Sequence, residues 1–561
     1  MGEVSDSKEI SRIQAIPRRK WTEEEAKELA EALTRALKTP QGTMKLRPLQ
    51  AVALYEMGTN GGALLPIRVG GGKTLISLLA GRMFEHCRRP LLVIPAALRD
   101  KTLREEKTLR RHWVLPAYIK TVSYAALSRE RFATFLDTDY RPDVIIADEC
   151  HKLSNQKSGC TRRIHRYLKA NPGVAFVGMS GTITKASLKD FAHLAFWALR
   201  NRSPLPNNWY ETLQWSLAVD VGVKKDRRLA VGALSKLGDG RNAREIVRDR
   251  LIETPGFVAS SDGPLDVPLH ITSRLVDSPL QKEFSDLRSK WETPEGIECT
   301  DGIEVWRHAR ELGVGCYYRW NPPPPEAWKA ARSVWARACR ETIQNGRRNI
   351  DTELQLKLHI RDNPTHYPEA KEALEEWEAI QPSYDPTVEA VWLTDEIEKQ
   401  VLEWARVSPG LVWTGIRFFA ERLSNRLPYY GSQGIDSKTG RVIEDHPPNK
   451  GSAVVSIAAN STGRNLQAWN RNLVVGMPTN GKAWEQLLGR THRDGQRNPV
   501  SVEVWFTCRE DLDGFWKAVD QARYIEQVTG QCQKLTYATK NVHKEIEKEL
   551  PQWVTGMTLT V

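Results

Sequence analysis

One stretch, GGALLPIRVGGGKTLISLL at residues 61–79, constrains the fold of this chain more than any other. An apolar segment, Ala63 to Ile67, leads through three glycines and a Lys-Thr pair into an amphipathic helix. Glycines let the backbone curl so that its N–H groups face a phosphate, while a lysine adds positive charge and a threonine hydroxyl suits Mg²⁺. The order strand, glycine turn and helix predicts an α/β fold with a phosphate-binding loop. The candidate residues are Gly70, Gly71, Gly72, Lys73 and Thr74.

The strict phosphate-loop pattern is incomplete, because Ile67 stands where the first glycine belongs. A plain glycine-rich turn is the alternative interpretation. A second element of the chain belongs to the same kind of site.

That element is the apolar run Val144 to Ala147, which ends in the carboxylates Asp148 and Glu149. A short continuous apolar run fits a parallel strand covered on both faces. Such a strand delivers the next residues to the carboxyl edge of its sheet, where ligands bind in open α/β folds. Beside a phosphate loop, we expect Asp148 to hold Mg²⁺ and Glu149 to act on the attacking water. Taken alone, the acidic pair also fits a helix N-terminus.

Other residues extend this candidate site. His151 follows the carboxylates and is placed to sense a γ-phosphate, and a buried strand near residue 175 ends in Ser180, Gly181 and Thr182. Gln50 carries an amide that can both accept from and donate to an adenine edge.

An arginine motif lies far downstream, in AWEQLLGRTHRDGQ. Gln486, Arg490 and Arg493 are spaced i, i+4 and i+7, which predicts one helical face and a shared target for both guanidinium groups. Arginine stabilises the charge of a phosphoryl group in transfer. A salt-bridged surface helix would show the same spacing.

Composition narrows the class of protein. The chain has 561 residues, too many for one ordinary core, and a formal net charge of +12, which suits a polyanionic partner. The eight cysteines are scattered, so we expect neither a zinc site nor a disulfide framework. The sequence has no apolar run of about 20 residues and no signal peptide, so we expect a cytoplasmic protein without membrane attachment.

The region from about 290 to 400 loses the alternation of strands and helices and is rich in tryptophan. Tryptophans at helical spacing are typical of a core, although a platform for stacking bases would also use them. They are Trp291, Trp306, Trp320, Trp328, Trp335, Trp377 and Trp392.

The order of motifs resembles the Snf-type ATPases of helicase superfamily two. The motifs are LRPLQ, GGGKT, VIPAAL, SYAAL, DECH, SGT, VVSIAANSTGRNLQ and QLLGRTHRDGQRNPVSVEVW. The similarity covers roughly 45–290 and 405–510, and HITSRLVDSPLQKEFSDL at 270–287 resembles the lobe-linking segment of that family. Two departures stand out: Ile67 and Arg68 replace an acidic pair, and Cys150 replaces a smaller residue.

The resemblance implies two RecA-like parallel-sheet lobes with helical insertions and a helical C-terminal tail. The expected divisions are an N-terminal helical arm (1–44), lobe one with a protrusion (45–270), a linker with the Trp-rich insertion (271–400), lobe two (401–510) and the tail (511–561).

The resemblance also implies functional roles. Arg47, Gln50 and Gln486 join the nucleotide-binding residues, and the cofactors are ATP and Mg²⁺. The coupling residues are His151, Ser180, Gly181 and Thr182. The expected partner is DNA, duplex favoured, bound by a monomer of the phage or prophage replication-module branch. The expected nucleic-acid contacts are Ser123, Tyr124, Thr414, Thr462 and Asn465.

The sequence leaves several functions open. The favoured one is a translocase on double-stranded DNA that hydrolyses ATP. A strand-separating DNA helicase shares every motif, and an RNA helicase shares most of them. An ATP-gated displacer of proteins from DNA, or a non-motor DNA-binding scaffold, would keep the fold and lose the coupling.

Overall fold

The computed structural model describes residues 2–538, with gaps at 226, 241, 261–264, 345–349, 351 and 462. Within these residues the chain is an α/β protein with two parallel sheets, which define two lobes. None of the described helices combines the length and apolar character needed to cross a bilayer.

The sheet of lobe one contains five parallel strands in the order β1-β5-β4-β2-β3. The central strands are continuous apolar runs and are fully buried, as the sequence predicts for β4. Leu65 of β1 and Asp148 of β4 both pair with Met179 of β5, so the residues that follow these three strands meet at one edge. The strands are β1 (Ala63–Leu65), β2 (Pro90–Ile94), β3 (Lys120–Ser123), β4 (Val144–Asp148) and β5 (Ala175–Met179).

Helices cover both faces of this sheet, and the N-terminal arm packs on the same lobe. Ile10 and Ile13 of the first helix are buried in its core. The helices are α1 (Lys8–Gln14), α2 (Glu23–Leu37), α3 (Pro48–Asn60), α4 (Lys73–Leu79), α5 (Arg99–Leu109), α6 (Tyr124–Ser128), α7 (Gly159–Ala170), α8 (Ala192–Leu199), α9 (Trp209–Val219) and α10 (Ala243–Ile252).

The sheet of lobe two contains six parallel strands in the order β10-β11-β9-β12-β13-β6. Its edge strand is supplied from the region between the lobes. The strands are β6 (Leu269–Leu275), β9 (Leu411–Thr414), β10 (Tyr429–Tyr430), β11 (Ala453–Ser456), β12 (Arg471–Val475) and β13 (Val500–Phe506), and the two strands numbered between them belong to the insertion.

Strand β6 corrects the expected division of the chain. The boundary between residues 270 and 271 falls inside this strand, and residues 269–275 are the edge of the second sheet instead of a linker. The reason is visible in LHITSRL, where Leu269 and Ile271 are buried and His270 and Thr272 are exposed. This alternation is typical of an edge strand with one covered face.

The insertion forms its own small unit, in which β7 (Cys316–Asn321) and β8 (Thr387–Trp392) pair antiparallel. Trp328, Trp335 and Trp377 are buried in its core, and none of the seven tryptophans named above is fully exposed. The core interpretation is therefore confirmed for these three, while the other four are half-buried. Its helices are α11 (Gln281–Lys290), α12 (Gly302–Gly313), α13 (Glu326–Gln344), α14 (Glu353–Asp362) and α15 (Pro368–Ile380).

The remaining helices belong to lobe two and to the C-terminal segment. Helix α20 packs against both lobes, because Phe515 lies in the core of lobe two and Tyr524 in the core of lobe one. The first part of the expected tail therefore connects the cores of the two lobes. Residues 539–561 lie outside the described residues. These helices are α16 (Glu396–Val407), α17 (Arg417–Leu423), α18 (Ile457–Asn460), α19 (Gly481–Thr491), α20 (Arg509–Thr529) and α21 (Lys534–Ala538).

Candidate functional site

The glycine loop, residues 70–72, follows β1 at the carboxyl edge of the first sheet. Gly70 and Gly72 adopt φ values of +88° and +78°, which favour glycine. A Cβ on Gly72 would also lie 2.1 Å from Gln50 Nε2. Gly71 has an ordinary φ, but its Cβ would lie 2.5 Å from Ile67 Cγ2. Local geometry therefore requires glycine at all three positions.

Lys73 begins α4 directly after the loop. Its Nζ donates to the carbonyls of Ile67 and Arg68, at 3.1 and 3.2 Å. These bonds hold the ammonium group beside the loop, on the wall of the cavity described below. Thr74 lines the same cavity.

Gln50 connects α3 to the glycine loop. Its Oε1 accepts from the backbone N–H of Arg47 at 2.9 Å, and its Nε2 donates to the Gly72 carbonyl at 3.4 Å. These two bonds help to fix the loop. Each end of the amide keeps one further hydrogen-bonding site, so the expected contact with an adenine edge stays a prediction.

Asp148 and Glu149 end β4 on the same edge of the sheet, and both are buried. Glu149 has a left-handed backbone with φ +57°, a strain of about 1–3 kcal/mol for a residue other than glycine. Its N–H donates to Asp148 Oδ1 at 3.0 Å. Strained backbone of this kind clusters at functional sites.

The two carboxylates differ in their affinity for protons. Burial, together with the neighbouring charge of Glu149, raises the pKa of Asp148 to about 7. Burial opposes ionisation of Glu149 as well, but a hydrogen bond from His151 and the charge of Lys73 lower its pKa below the ordinary value. Glu149 is therefore the carboxylate of the pair that ionises more readily.

His151 joins Glu149 to the end of β5. Its Nδ1 lies 3.2 Å from Glu149 Oε2 and 2.8 Å from Ser180 Oγ. Burial lowers the pKa of His151 to about 4, so the ring is neutral near pH 7. Ser180 Oγ also accepts from the N–H of Thr182 at 3.1 Å. The expected coupling residues thus form one buried cluster with Glu149.

Gly181, the remaining member of that group, is contacted from the C-terminal segment. Its carbonyl accepts from Gln531 Nε2 at 2.7 Å. Nearby, Lys534 Nζ lies 3.0 Å from Glu485 Oε1 of α19, and both side chains are buried. The segment after α20 therefore links the end of β5 to the arginine helix.

Arg490 and Arg493 approach the cluster from lobe two. Both guanidinium groups donate to the Arg464 carbonyl, at 3.0 and 3.4 Å. The two groups therefore lie close together, as predicted, and their shared phosphoryl target stays a prediction. The single helical face is wrong, because α19 ends at Thr491 and Arg493 lies beyond it. Burial, with the neighbouring charge of Arg493, lowers the pKa of Arg490 to about 10.

A cavity of about 660 Å³ lies between the lobes and brings these groups together, a size within the usual range for a small-molecule site. Lys101 adds a further cation to the wall of this cavity. Its Nζ donates to the Gly463 carbonyl of lobe two at 2.6 Å. The charged lining residues are Lys45, Arg47, Lys73, Lys101, Arg104, Glu105, Asp148, Glu149, Arg490 and Arg493. Cations outnumber carboxylates, so the cavity suits a polyanion.

A second cavity of about 790 Å³ adjoins the first and shares Glu149 with it. Gln486 lines this second cavity and not the first, and its expected role in nucleotide binding stays a prediction. Lys482 lies here as well. Burial lowers its pKa to about 8, although the negative charge of Glu149 acts to raise it.

The expected nucleic-acid contacts are the weakest part of the sequence prediction. Tyr124 is buried and donates to the Asp148 carbonyl at 2.7 Å, and Thr414 is 1% exposed, so neither offers a surface. Ser123 caps α6 by accepting from Ala126 N. Asn465 is exposed beside the second cavity, while Thr462 lies outside the described residues.

The donor atoms present fit Mg²⁺ only in part. Among the described residues, no group of three or more His, Cys, Asp or Glu side chains could hold a metal ion. Magnesium does not need such a group, because it commonly takes one carboxylate and completes its shell with phosphate oxygens and water. Thr74 and Asp148, both on the cavity wall, are suitable oxygen donors.

Several residues where the lobes meet were not singled out from the sequence. Lys101 lines both cavities, Lys482 lines the second, and Asp494 pairs with Arg47 and Arg68. Lys101 follows a predicted strand at the correct edge, so its position along the chain could have indicated it. The other two depend on how the lobes meet, which no local pattern shows.

Comparison with known protein families returns no matching family, and comparison with curated protein sequences returns no relative.

Proposed function

We propose that this protein is an ATP-driven motor on nucleic acid, most specifically a translocase on double-stranded DNA. One observation carries the proposal. A single cavity between two parallel-sheet lobes is lined by the glycine loop with Lys73, the buried pair Asp148 and Glu149, and the arginines 490 and 493. The first two sets belong to lobe one and the arginines to lobe two, as catalysis governed by lobe closure requires. A RecA-like fold of both lobes and a Snf-type relationship are part of the same proposal.

The residues of the chain have distinct tasks in hydrolysis. Backbone N–H groups of the glycine loop and the Lys73 ammonium bind the β- and γ-phosphates of ATP. Ionised Glu149 accepts the proton of the attacking water. The guanidinium groups of Arg490 and Arg493 stabilise the charge that spreads over the transferring phosphoryl group.

Thr74 and Asp148 would hold Mg²⁺, which when bound neutralises phosphate charge. Asp148 must be ionised to act as a ligand. The chain keeps that carboxylate at the cavity by pairing β4 with β5 and by the Glu149 N–H bond.

Coupling to a track follows from the position of the cavity. The lobes close when ATP binds and open after hydrolysis, so that each lobe in turn binds and releases the phosphate backbone. Contacts with phosphates are largely independent of base sequence. The cluster of Glu149, His151 and Ser180 connects the hydrolysis site to β5, and Gln531 connects β5 to the C-terminal segment.

The proposal is tested by ATPase assays with no nucleic acid, single-stranded DNA, duplex DNA and RNA. We expect the greatest stimulation by duplex DNA, with an affinity for duplex that falls steeply with salt because counterions are released. Lys73→Ala is the matched variant that should remain folded and lose hydrolysis. Hydrolysis equal to wild type in this variant would remove the phosphate-loop assignment.

A second pair of assays separates the translocase from the alternatives. We expect displacement of a third strand from a triplex without separation of the duplex beneath it. Efficient unwinding of a fork without triplex displacement would favour a strand-separating helicase. Stimulation by RNA alone would contradict both DNA-directed functions.

A further inference from the structure

Asp494 follows Arg493 directly and reaches across the cleft to lobe one. Its carboxylate pairs with two guanidinium groups, those of Arg47 and Arg68, and the Arg68 Nη2 to Asp494 Oδ1 distance is 3.4 Å. The side chains of Arg68 and Asp494 are 17% and 27% exposed, so this contact is mostly shielded from solvent. It is a link between the lobes at the rim of the cavity.

Arg47 carries this link to the glycine loop. Its Nη1 lies 3.5 Å from the Gly70 carbonyl, and its backbone N–H donates to Gln50. Gln50 in turn donates to the Gly72 carbonyl. A carboxylate of lobe two therefore contacts the residue that braces the loop at both ends.

The lobes are also packed tightly at this place. A Cβ on Gly489 of α19 would lie 2.9 Å from Val69 Cγ1, and a Cβ on Gly70 would lie 3.7 Å from the Cβ of Arg493. Close packing leaves little freedom for independent movement. A shift of Asp494 relative to Arg68 therefore moves Arg493 relative to the loop.

We propose that Asp494 is a positioning residue, whose ion pairs with Arg47 and Arg68 set the place of Arg493 against the glycine loop. The inference rests on the proposed hydrolysis of ATP. It also gives a role to Arg68, which stands where the resembled family has an acidic residue. A carboxylate at position 68 would repel Asp494, whereas arginine attracts it.

The test is a charge reversal and its compensation. Asp494→Lys and Arg68→Glu should each lower kcat for ATP about tenfold and change KM for ATP less than about threefold, because the arginine acts in the transition state. The double variant restores opposite charges at positions 68 and 494 and should recover part of the lost kcat, because Arg47 still faces the lysine introduced at position 494. The conservative Asp494→Glu should stay close to wild type.

A matched control keeps this test specific. Arg361 and Glu378 form an ion pair of 2.8 Å on the insertion, outside both lobes. Reversal of Arg361 to Glu should leave kcat unchanged. Full activity in Asp494→Lys, or a double variant no better than the poorer single variant, would overturn the positioning role.

A second measurement separates this inference from the proposed function. If the wild-type protein hydrolyses no ATP under any condition, the proposed function fails, and amide hydrogen exchange over residues 66–75 then tests the link alone. Faster exchange in both single variants, with protection regained in the double variant, would support it. Unchanged exchange in the single variants would overturn it.

Discussion

The imidazole of His151 lies 2.8 Å from the hydroxyl of Ser180, and this contact joins the ends of two neighbouring strands, β4 and β5. Ser180 also lies 3.4 Å from Glu149 Oε2, so one hydroxyl serves both the neutral ring and the ionised carboxylate. The position of Glu149 therefore depends on a residue that does not line the cleft cavity.

Ser180→Ala should leave ATP binding near wild type and lower hydrolysis about tenfold, because Glu149 loses a partner that orients it. Steady-state kinetics with duplex DNA measure both values. Ser216→Ala is a suitable control, since that buried hydroxyl donates to the Thr212 carbonyl at 2.9 Å, away from the cavity. Equal hydrolysis in the two variants would show that Ser180 has no orienting role.

Glu149→Gln keeps the shape of the side chain and removes the base. We expect ATP to bind, the lobes to remain closed around the track, and turnover to be slow. DNA binding should therefore become tighter on addition of ATP, which fluorescence anisotropy with a labelled duplex measures. If the DNA affinity of this variant is the same with and without ATP, the proposed coupling between ATP hydrolysis and DNA binding is contradicted.

Removal of either Arg490 or Arg493 should slow hydrolysis by about 10³-fold while ATP binding in lobe one persists. Arg417→Ala provides the comparison, because Arg417 is an exposed residue of lobe two that pairs with Glu421 at 2.7 Å. Single-turnover rates at saturating ATP distinguish chemistry from binding. Normal rates in both arginine variants would return the motif to a structural role.

Stability should fall in acid through His193. Burial lowers the pKa of this histidine from 6.5 to about 4, and its Nε2 lies 3.0 Å from the Leu153 carbonyl. Between these values the unfolded chain binds a proton that the folded chain excludes. The free energy of unfolding therefore decreases as the pH falls from 6.5 toward 4, by at most about 3 kcal/mol from this residue.

His193→Gln removes that titration and gives the measurement. Thermal unfolding at a pH of about 7 and about 5 should show that the advantage of wild type over the variant shrinks in acid. A difference in Tm that is the same at both values would contradict the assignment. His151 is retained in both proteins, so its own low pKa cancels in the comparison.

Local pattern predicted the parts of the fold that local chemistry determines. The apolar runs predicted β1, β4 and β5, because a strand that is buried on both faces consists mainly of apolar residues. The same logic placed Lys73, Asp148 and Glu149 at one edge. These residues end a strand or follow one closely, and parallel strands all have their carboxyl ends at the same edge of the sheet.

Contacts between distant parts of the chain could not be predicted in this way. Strand β6 pairs with β13 more than 200 residues later, and nothing in LHITSRL specifies that partner. Arg493 was placed on a helix that stops at Thr491, because spacing alone does not reveal where a helix ends. Tyr124 and Thr414 were taken for surface contacts, yet tertiary packing buries both.

Helix α20 has a consequence for how the chain denatures. Phe515 fills one core and Tyr524 the other, and the Tyr524 hydroxyl donates to Asp220 at 3.0 Å in the interior. Unfolding of either lobe would expose apolar residues of the other lobe to water. The two lobes should therefore unfold in one thermal transition instead of two. The same arrangement limits how far the two lobes can move relative to each other, because a helix held in two cores can slide only slightly before it disturbs both.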